Sequence, residues 1–215
     1  ETIDAVSICT NNATHAEYTI KALNAGKHVL CEKPMAITKN EADDMFKAAE
    51  QSGKRLLIGQ NQRITDVHKK VKEIIESNTL GKALTFSTTF GHKGPESWCI
   101  DKSADTWFFK KDFAKFGSLG DLGIHKIDLM MFLLDKEAKK VYCTLKTIDK
   151  KFPDGRPIEV DDNSVSIIEF TDGTLGTITT SWTNYGNENN TTYNYKELIE
   201  SDNGIISKMK DEAFF

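Results

Sequence analysis

The stretch AVSICTNNATHAEYTIKALNAGKHVLCEKPMA, residues 5–36, holds two short apolar runs with one helical pattern between them. Ala5-Val6-Ser7-Ile8-Cys9-Thr10 is a run of β-formers. Thr14-His15-Ala16-Glu17 then fits a capping box, and Ala16, Ile20 and Leu23 recur at i, i+4 and i+7 until Gly26, the residue type that ends helices. His28-Val29-Leu30-Cys31 reads as the second strand. Working outward, Thr38-Lys39-Asn40-Glu41 is a second capping box, with Ala42, Met45, Phe46 and Ala49 on one helical face and Gly53 past the end. Residues 55–59 supply a third strand. Strand, helix, strand, helix, strand at these lengths predicts βαβ units and a parallel sheet.

In such a sheet the ligand crevice lies beyond the carboxyl ends of the strands. Thr10-Asn11-Asn12 and Glu32-Lys33-Pro34 both fall there. Neighbouring Glu32 and Lys33 on an ordinary surface would be a solvated pair of little energetic weight. Their position aims them at the crevice instead.

At 215 residues the chain can bury a sizeable core, and its length suits one or two domains. The net charge of -4 is spread evenly, without the basic stripe that nucleic acid needs or the polybasic tract that anionic lipid needs. A small molecule or a protein is therefore the expected partner. The apolar runs are too short to span a bilayer and the N-terminus lacks the order of a signal peptide, so the chain reads as cytoplasmic. Cys9, Cys31, Cys99 and Cys143 are widely separated, with no CxxC and no short Cys/His spacing. Neither a disulfide framework nor a metal site is expected.

After a helix at 66–76 the pattern changes to long strands, at 83–90, 140–147, 164–170, 174–182 and 193–200, with Asp172-Gly173 and Asn203-Gly204 as hairpin turns. These predict a large, mostly antiparallel sheet. One helical pattern interrupts it at 120–134, with Ile124, Ile127, Met131 and Leu134 as the core stripe and Asp121, His125 and Asp128 on an adjacent face. An aspartate and a histidine one turn apart can share a site, the carboxylate favouring the protonated imidazole and fixing its orientation. Gly117-Ser118-Leu119-Gly120 just before them suggests a close backbone approach. Residues 185–190, Tyr-Gly-Asn-Glu-Asn-Asn, read as a polar loop.

The quoted stretch, followed about ninety residues later by GSLGDLGIHKIDL, resembles the glucose-fructose oxidoreductase / inositol dehydrogenase (Gfo/Idh/MocA) superfamily. The likeness runs through nearly the whole chain, and the E-K-P turn combined with the D-x-x-x-H helix is what makes it specific. It implies an α/β fold: a Rossmann domain binding NAD or NADP, then an α+β domain whose open sheet joins homodimers or homotetramers. The boundary is expected near 62, giving a partial dinucleotide-binding domain at 1–62 and a substrate and oligomerisation domain at 63–215.

Residue by residue, the resemblance makes Lys33, Asp121 and His125 catalytic. Thr10, Asn11, Asn12 and His15 match the family's T-P-N-x-x-H turn beside the cofactor, Asn11 standing where the proline is usual. Glu32 and Lys33 complete the cofactor-side set. Arg63 matches a family arginine that faces substrate, and Trp107 and Tyr185, with Trp182, are the aromatic candidates for the pocket wall. The implied reaction is hydride transfer between a nicotinamide and a sugar, cyclitol or related diol, with His125 as general base, Asp121 orienting that imidazole or the substrate hydroxyl, and Lys33 favouring alkoxide character. The rival within the superfamily is a regulator that binds dinucleotide without turnover. A sensor has no chemical use for the complete lysine, aspartate and histidine set.

A Rossmann domain should open with strand, G-x-G-x-x-G turn and helix, and no such fingerprint occurs in these residues. The chain is therefore expected to lack two βαβ units at its start, and to stop before the antiparallel sheet is finished.

Overall fold

The structure, a computed structural model, describes residues 3–100, 102–186, 188–195 and 209–210. Strands β1 (Ala5–Ile8), β2 (His28–Cys31) and β3 (Leu56–Ile58) pair in that order, all parallel. Helices α1 (His15–Asn24) and α2 (Lys39–Ser52) connect them as βαβ units. Val29 and Cys31 alternate inward from β2, and with Ile8, Leu23, Met45 and Ala48 they form the core between sheet and helices.

The two capping boxes part company. At α2 the Thr38 hydroxyl accepts from Glu41 N (3.2 Å) and the Glu41 carboxylate accepts from Thr38 N (3.0 Å), a reciprocal cap that contributes about 1 kcal/mol. At α1 Thr14 makes no cap: its hydroxyl lies 2.8 Å from Thr10 Oγ1 and 3.0 Å from Asn11 O, inside a 3₁₀ turn at Asn12–Thr14, and Glu17 pairs with Lys21 instead. The face expected for α2 is also rotated. Ala48 is buried while Phe46 is exposed, because Met45 and Ala48 mark the centre of the stripe and Phe46 falls outside it.

Helix α3 (Asp66–Glu76) leads into the second sheet, whose strands are β4 (Ala83–Gly91), β5 (Ala138–Lys146), β6 (Asn163–Phe170), β7 (Leu175–Ser181), β8 (Glu188–Tyr195) and β9 (Met209–Lys210). A short helix α4 (Lys111–Ala114) and a longer α5 (Ile124–Leu134) lie between β4 and β5. The order is β5-β6-β7-β4-β8-β9, antiparallel except where β4 pairs with β7. Strand β8 begins five residues before the 193–200 strand read from the sequence, so half of the expected polar loop is strand. Asn203-Gly204 lies outside the described residues.

Val71 of α3 and Leu129, Met130 and Leu133 of α5 pack on Phe86, Ile168, Phe170 and Ile178 from one face of this sheet. The expected α5 stripe holds only in part: Leu134 is buried and Ile127 packs half-buried against the core, but Ile124 is half-buried and Met131 exposed, while Lys126 is wholly buried with its ammonium 5.7 Å from the Phe90 ring centroid. The cause lies just upstream, where Leu119–Gly123 forms a π turn with Ile124 N bonded back to Leu119 O. The extra residue in that turn changes the angle between everything before it and everything after it.

Candidate active site

The two unusual turns of the sequence meet. Lys33, at the carboxyl end of β2, donates from Nζ to Asp121 Oδ1 at 2.6 Å and to the Asp121 carbonyl at 2.9 Å. The residues are 88 positions apart. Glu32 folds back, its Oε2 accepting from Lys33 N at 3.3 Å and its carboxylate packed so closely on Gly59 that a Cβ there would stand 3.2 Å from Oε1. The Lys33–Pro34 peptide bond is cis.

Asp121 is buried at the π turn. Its second oxygen accepts from the Trp182 indole N–H at 3.2 Å and lies 3.9 Å from His92 Nε2. Burial opposes its charge, but Lys33's charge and hydrogen bond outweigh burial, with His92 and His125 adding to them, and its pKa is held below the ordinary carboxylate value. Of the two roles expected of Asp121, orienting the imidazole or the substrate hydroxyl, the first has no hydrogen bond to His125 among the described residues. The carboxylate is spent on Lys33 and Trp182, and the π turn breaks the i, i+4 alignment that a regular helix would give.

His125 is half-buried against Phe90, with ring centroids 6.1 Å apart, and its Nδ1 is buried without a hydrogen-bond partner. Burial first, then Lys33's charge, pushes its pKa down to about 3 against the pull of Asp121. At neutral pH it is therefore an uncharged imidazole with a free nitrogen.

The turn that begins this loop is fixed from within. His15 is buried with Nδ1 2.8 Å from Pro34 O and Nε2 3.1 Å from Thr10 O, so it braces the turn after β1 against the turn after β2. Asn12 is buried too, and its amide donates to Ala114 O at 2.8 Å, 102 residues on. The turn's outward groups are the exposed Thr10 and the half-buried Asn11, whose Oδ1 has no partner. Gln60, past the end of β3, likewise has a buried Oε1 with none.

Asp161 holds the second half of the site. Its carboxylate accepts from Gly117 N, Ser118 Oγ and Leu119 N, each at 2.9 Å, and its carbonyl accepts from Ser118 N at 2.8 Å. A Cβ on Gly117 would stand 1.8 Å from that carbonyl oxygen, so the close approach read from the glycines is a backbone contact.

The remaining sequence candidates lie further out. Arg63 makes a two-pronged pair with Asp128, Nε to Oδ2 at 2.6 Å and Nη2 to Oδ1, with its guanidinium 5.3 Å from the Phe132 ring centroid. Trp107 stacks on Phe108 with centroids 3.9 Å apart. Tyr185 is exposed, its hydroxyl on Asp149 Oδ2 at 3.3 Å and its ring beneath Lys150 Nζ. Sequence reading missed His92 at the centre and gave Trp182 only as a candidate for the pocket wall. His92, whose Nδ1 accepts from Gly94 N at 2.9 Å and whose pKa burial lowers, presents its Nε2–H toward Asp121, and Trp182 donates to the same carboxylate. Their only local signal is a polar or aromatic residue just past the end of a strand. Among the described residues no group of three His, Cys, Asp or Glu is placed to hold a metal ion, and no helix is long and apolar enough to cross a membrane.

Comparison with known proteins agrees with this fold. Residues 1–60 match the model of an oxidoreductase family with an NAD-binding Rossmann fold, and residues 68–196 match the GFO/IDH/MocA C-terminal domain. The chain is 31% identical over 209 residues to levoglucosan dehydrogenase of Pseudarthrobacter phenanthrenivorans, covering 89% of this chain and 52% of the relative. It is 27% identical over 199 residues to myo-inositol 2-dehydrogenase of Thermotoga maritima, covering 92% and 53%. A solved levoglucosan dehydrogenase in complex with NADH and levoglucosan superposes with a TM-score of 0.79 at 32% identity, over 90% of this chain and 52% of that one. The chain thus spans about half the length of the curated relatives it matches. With a Rossmann-type parallel sheet, the E-K-P turn at Lys33 and the helix of Asp121 and His125 all in place, the chain belongs to the GFO/IDH/MocA oxidoreductase family.

Proposed function

We propose that the full-length protein oxidises a secondary alcohol of a sugar, cyclitol or related polyol, with NAD or NADP as the hydride acceptor. The observation that carries this reading is the joining of Lys33 to Asp121 beside a neutral His125. The relatives named above are dehydrogenases of such compounds, which supports the substrate class.

The strand-end residues fit the nicotinamide half of a dinucleotide. Thr10 offers an exposed hydroxyl, and Asn11 and Gln60 each hold a buried, unpartnered carbonyl oxygen at the carboxyl ends of parallel strands. The bound nicotinamide supplies the acceptor for the hydride leaving the carbinol carbon. The protein's own task is the proton. His125 takes it from the hydroxyl, and because its depressed pKa makes it a weak base, the ammonium of Lys33 must favour the developing alkoxide. Asp121 keeps that ammonium in place from below. It acts on the substrate through Lys33, and on the imidazole only through its charge, which opposes the lowering of the His125 pKa.

The same reading makes the protein a cytoplasmic homodimer or homotetramer joined through its large sheet. Supporting this, Tyr142, Val165, Ile167 and Leu175 are exposed on the sheet face opposite α5. The decisive test of function supplies full-length protein with NAD or NADP and a panel of sugars, cyclitols and diols, following reduced-nicotinamide absorbance with His125→Ala as control. Turnover lost by about a hundredfold or more in the variant is the expected result. Tight dinucleotide binding without any turnover would replace the enzyme with a dinucleotide-sensing regulator.

A further inference from the structure

We propose that Trp98 is a stacking plate for a pyranose ring, a carbohydrate subsite that opens directly from the Lys33–Asp121 centre. The proposal deepens the dehydrogenase reading and rests on it for the identity of that centre.

Trp98 is a large aromatic left 50% exposed, at the end of the segment that follows β4. A lone exposed tryptophan is ordinary surface. This one is built in. Its indole meets the His92 ring edge-on, centroids 6.0 Å apart at 87°, and the Phe108 ring at 5.1 Å and 74°. Phe108 is backed by Trp107 and touches Trp182 at 6.5 Å. Two short routes therefore link the exposed indole to the Asp121 carboxylate, one through His92 and one through Phe108 and Trp182.

The segment carrying it is also fixed. Gly94 N donates to His92 Nδ1, Ser97 Oγ donates to Gly94 O at 2.6 Å, and Trp98 N donates to Pro95 O at 3.1 Å. Lys150, itself buried, reaches across to Glu96 and to Lys93 O and locks the turn from behind. The plate is held before any ligand arrives, so little ordering is lost on binding.

The chemistry selects the ligand. A pyranose has a face of C–H bonds, weakly positive, and a rim of hydroxyls. The face suits the negative π cloud of an indole and the rim suits fixed polar donors. The polar centre lies past the His92 ring that Trp98 abuts: His92 Nε2 is 3.9 Å from the Asp121 carboxylate, whose other oxygen accepts from Lys33 Nζ. An open-chain polyol has no such flat face. The subsite thus favours ring sugars and glycosides over acyclic substrates.

Trp98→Ala and Trp98→Phe in the full-length protein test this, with a methyl pyranoside as the probe. Two readouts are taken: steady-state kinetics with nicotinamide cofactor, and saturation-transfer NMR of the pyranoside, which needs no turnover. The expected result is a KM raised about tenfold in Trp98→Ala and about threefold in Trp98→Phe, with saturation of the ring C–H protons strong in the wild type and lost in the alanine variant. Ring saturation and KM unchanged in Trp98→Ala, with turnover intact, would overturn the subsite and leave the dehydrogenase standing. Ring saturation that depends on Trp98 without any turnover would keep the subsite and discard the reaction. Neither binding nor turnover would discard both.

Discussion

Two ion pairs tie the first sixty-odd residues to the helix region of Asp121 and Asp128, and they differ in what surrounds them. Lys33 and Asp121 are 17% and 8% exposed, and a second donor, Trp182, fills the carboxylate's other oxygen. Arg63 is 45% exposed where it meets Asp128, in a two-pronged contact on the helix flank. The second has the better hydrogen-bond geometry and the lesser importance. The carboxylates of Asp128 and Asp121 are similarly enclosed, at 12% and 8% exposed, but the exposed Arg63 guanidinium stays in water while Lys33 does not, and a buried charge that loses its partner costs about 3–5 kcal/mol.

Breaking the buried pair should give the largest effect. In the full-length protein Lys33→Met is expected to lower turnover about a thousandfold, since under the proposed function it removes the donor that favours the alkoxide. The same variant should raise the His125 pKa from about 3 toward 6.5, because Lys33's charge is the second cause of its depression after burial. Imidazole proton NMR between pH 4 and 8 checks the shift, and an unmoved titration would refute the electrostatic link. The sign for stability follows. A histidine depressed in the folded state stabilises the fold above its unfolded pKa of 6.5, and that contribution is lost as pH falls from there toward 3. Lys33→Met should flatten this acid loss in denaturant melts.

A smaller effect sharpens the comparison from beneath. Asp161→Asn keeps the shape but removes the charge that three donors of 117–119 address, and should cost about 2–3 kcal/mol in denaturant melts together with about a tenfold fall in turnover. A change below about 0.5 kcal/mol would mean the π turn holds Asp121 unaided. Smallest of all, Arg63→Ala should cost under about 1 kcal/mol, and less in high salt. If KM for the polyol instead rose tenfold, Arg63 would be reaching the substrate from its place on Asp128.

Legibility in the sequence followed the range of the interactions. Strands β1 to β3 and the Thr38 cap are local, and period and capping chemistry reveal them. The Thr14 box failed because a hydroxyl three residues from Asn11 and four from Thr10 found nearer partners than the helix N-terminus. The α5 stripe failed in part because Ile-His-Lys-Ile-Asp-Leu-Met-Met-Phe-Leu-Leu is apolar on nearly every side and a π turn rotates it, so period alone cannot choose the face. Strand β8, Glu-Asn-Asn-Thr-Thr-Tyr-Asn-Tyr, carries no apolar alternation to announce where it starts. At the site, Lys33, Asp121 and His125 were visible through the motifs of a known family. His92 was not, and Trp182 was legible as a pocket-wall aromatic but not as a donor to Asp121, since only the pairing of β4 with β7 brings their strand ends together.

Asn12 carries a mechanical consequence. Its amide is fastened to Ala114 O, just ahead of the 117–119 turn, while Lys33 is fastened to Asp121 just after it. Any hinge opening between the parallel sheet and the larger one must release both fastenings in one movement. The lysine then loses its charge partner at the moment the crevice opens. The two bonds act as an interlock: moving one sheet away from the other would break the Asn12–Ala114 bond and the Lys33–Asp121 pair together.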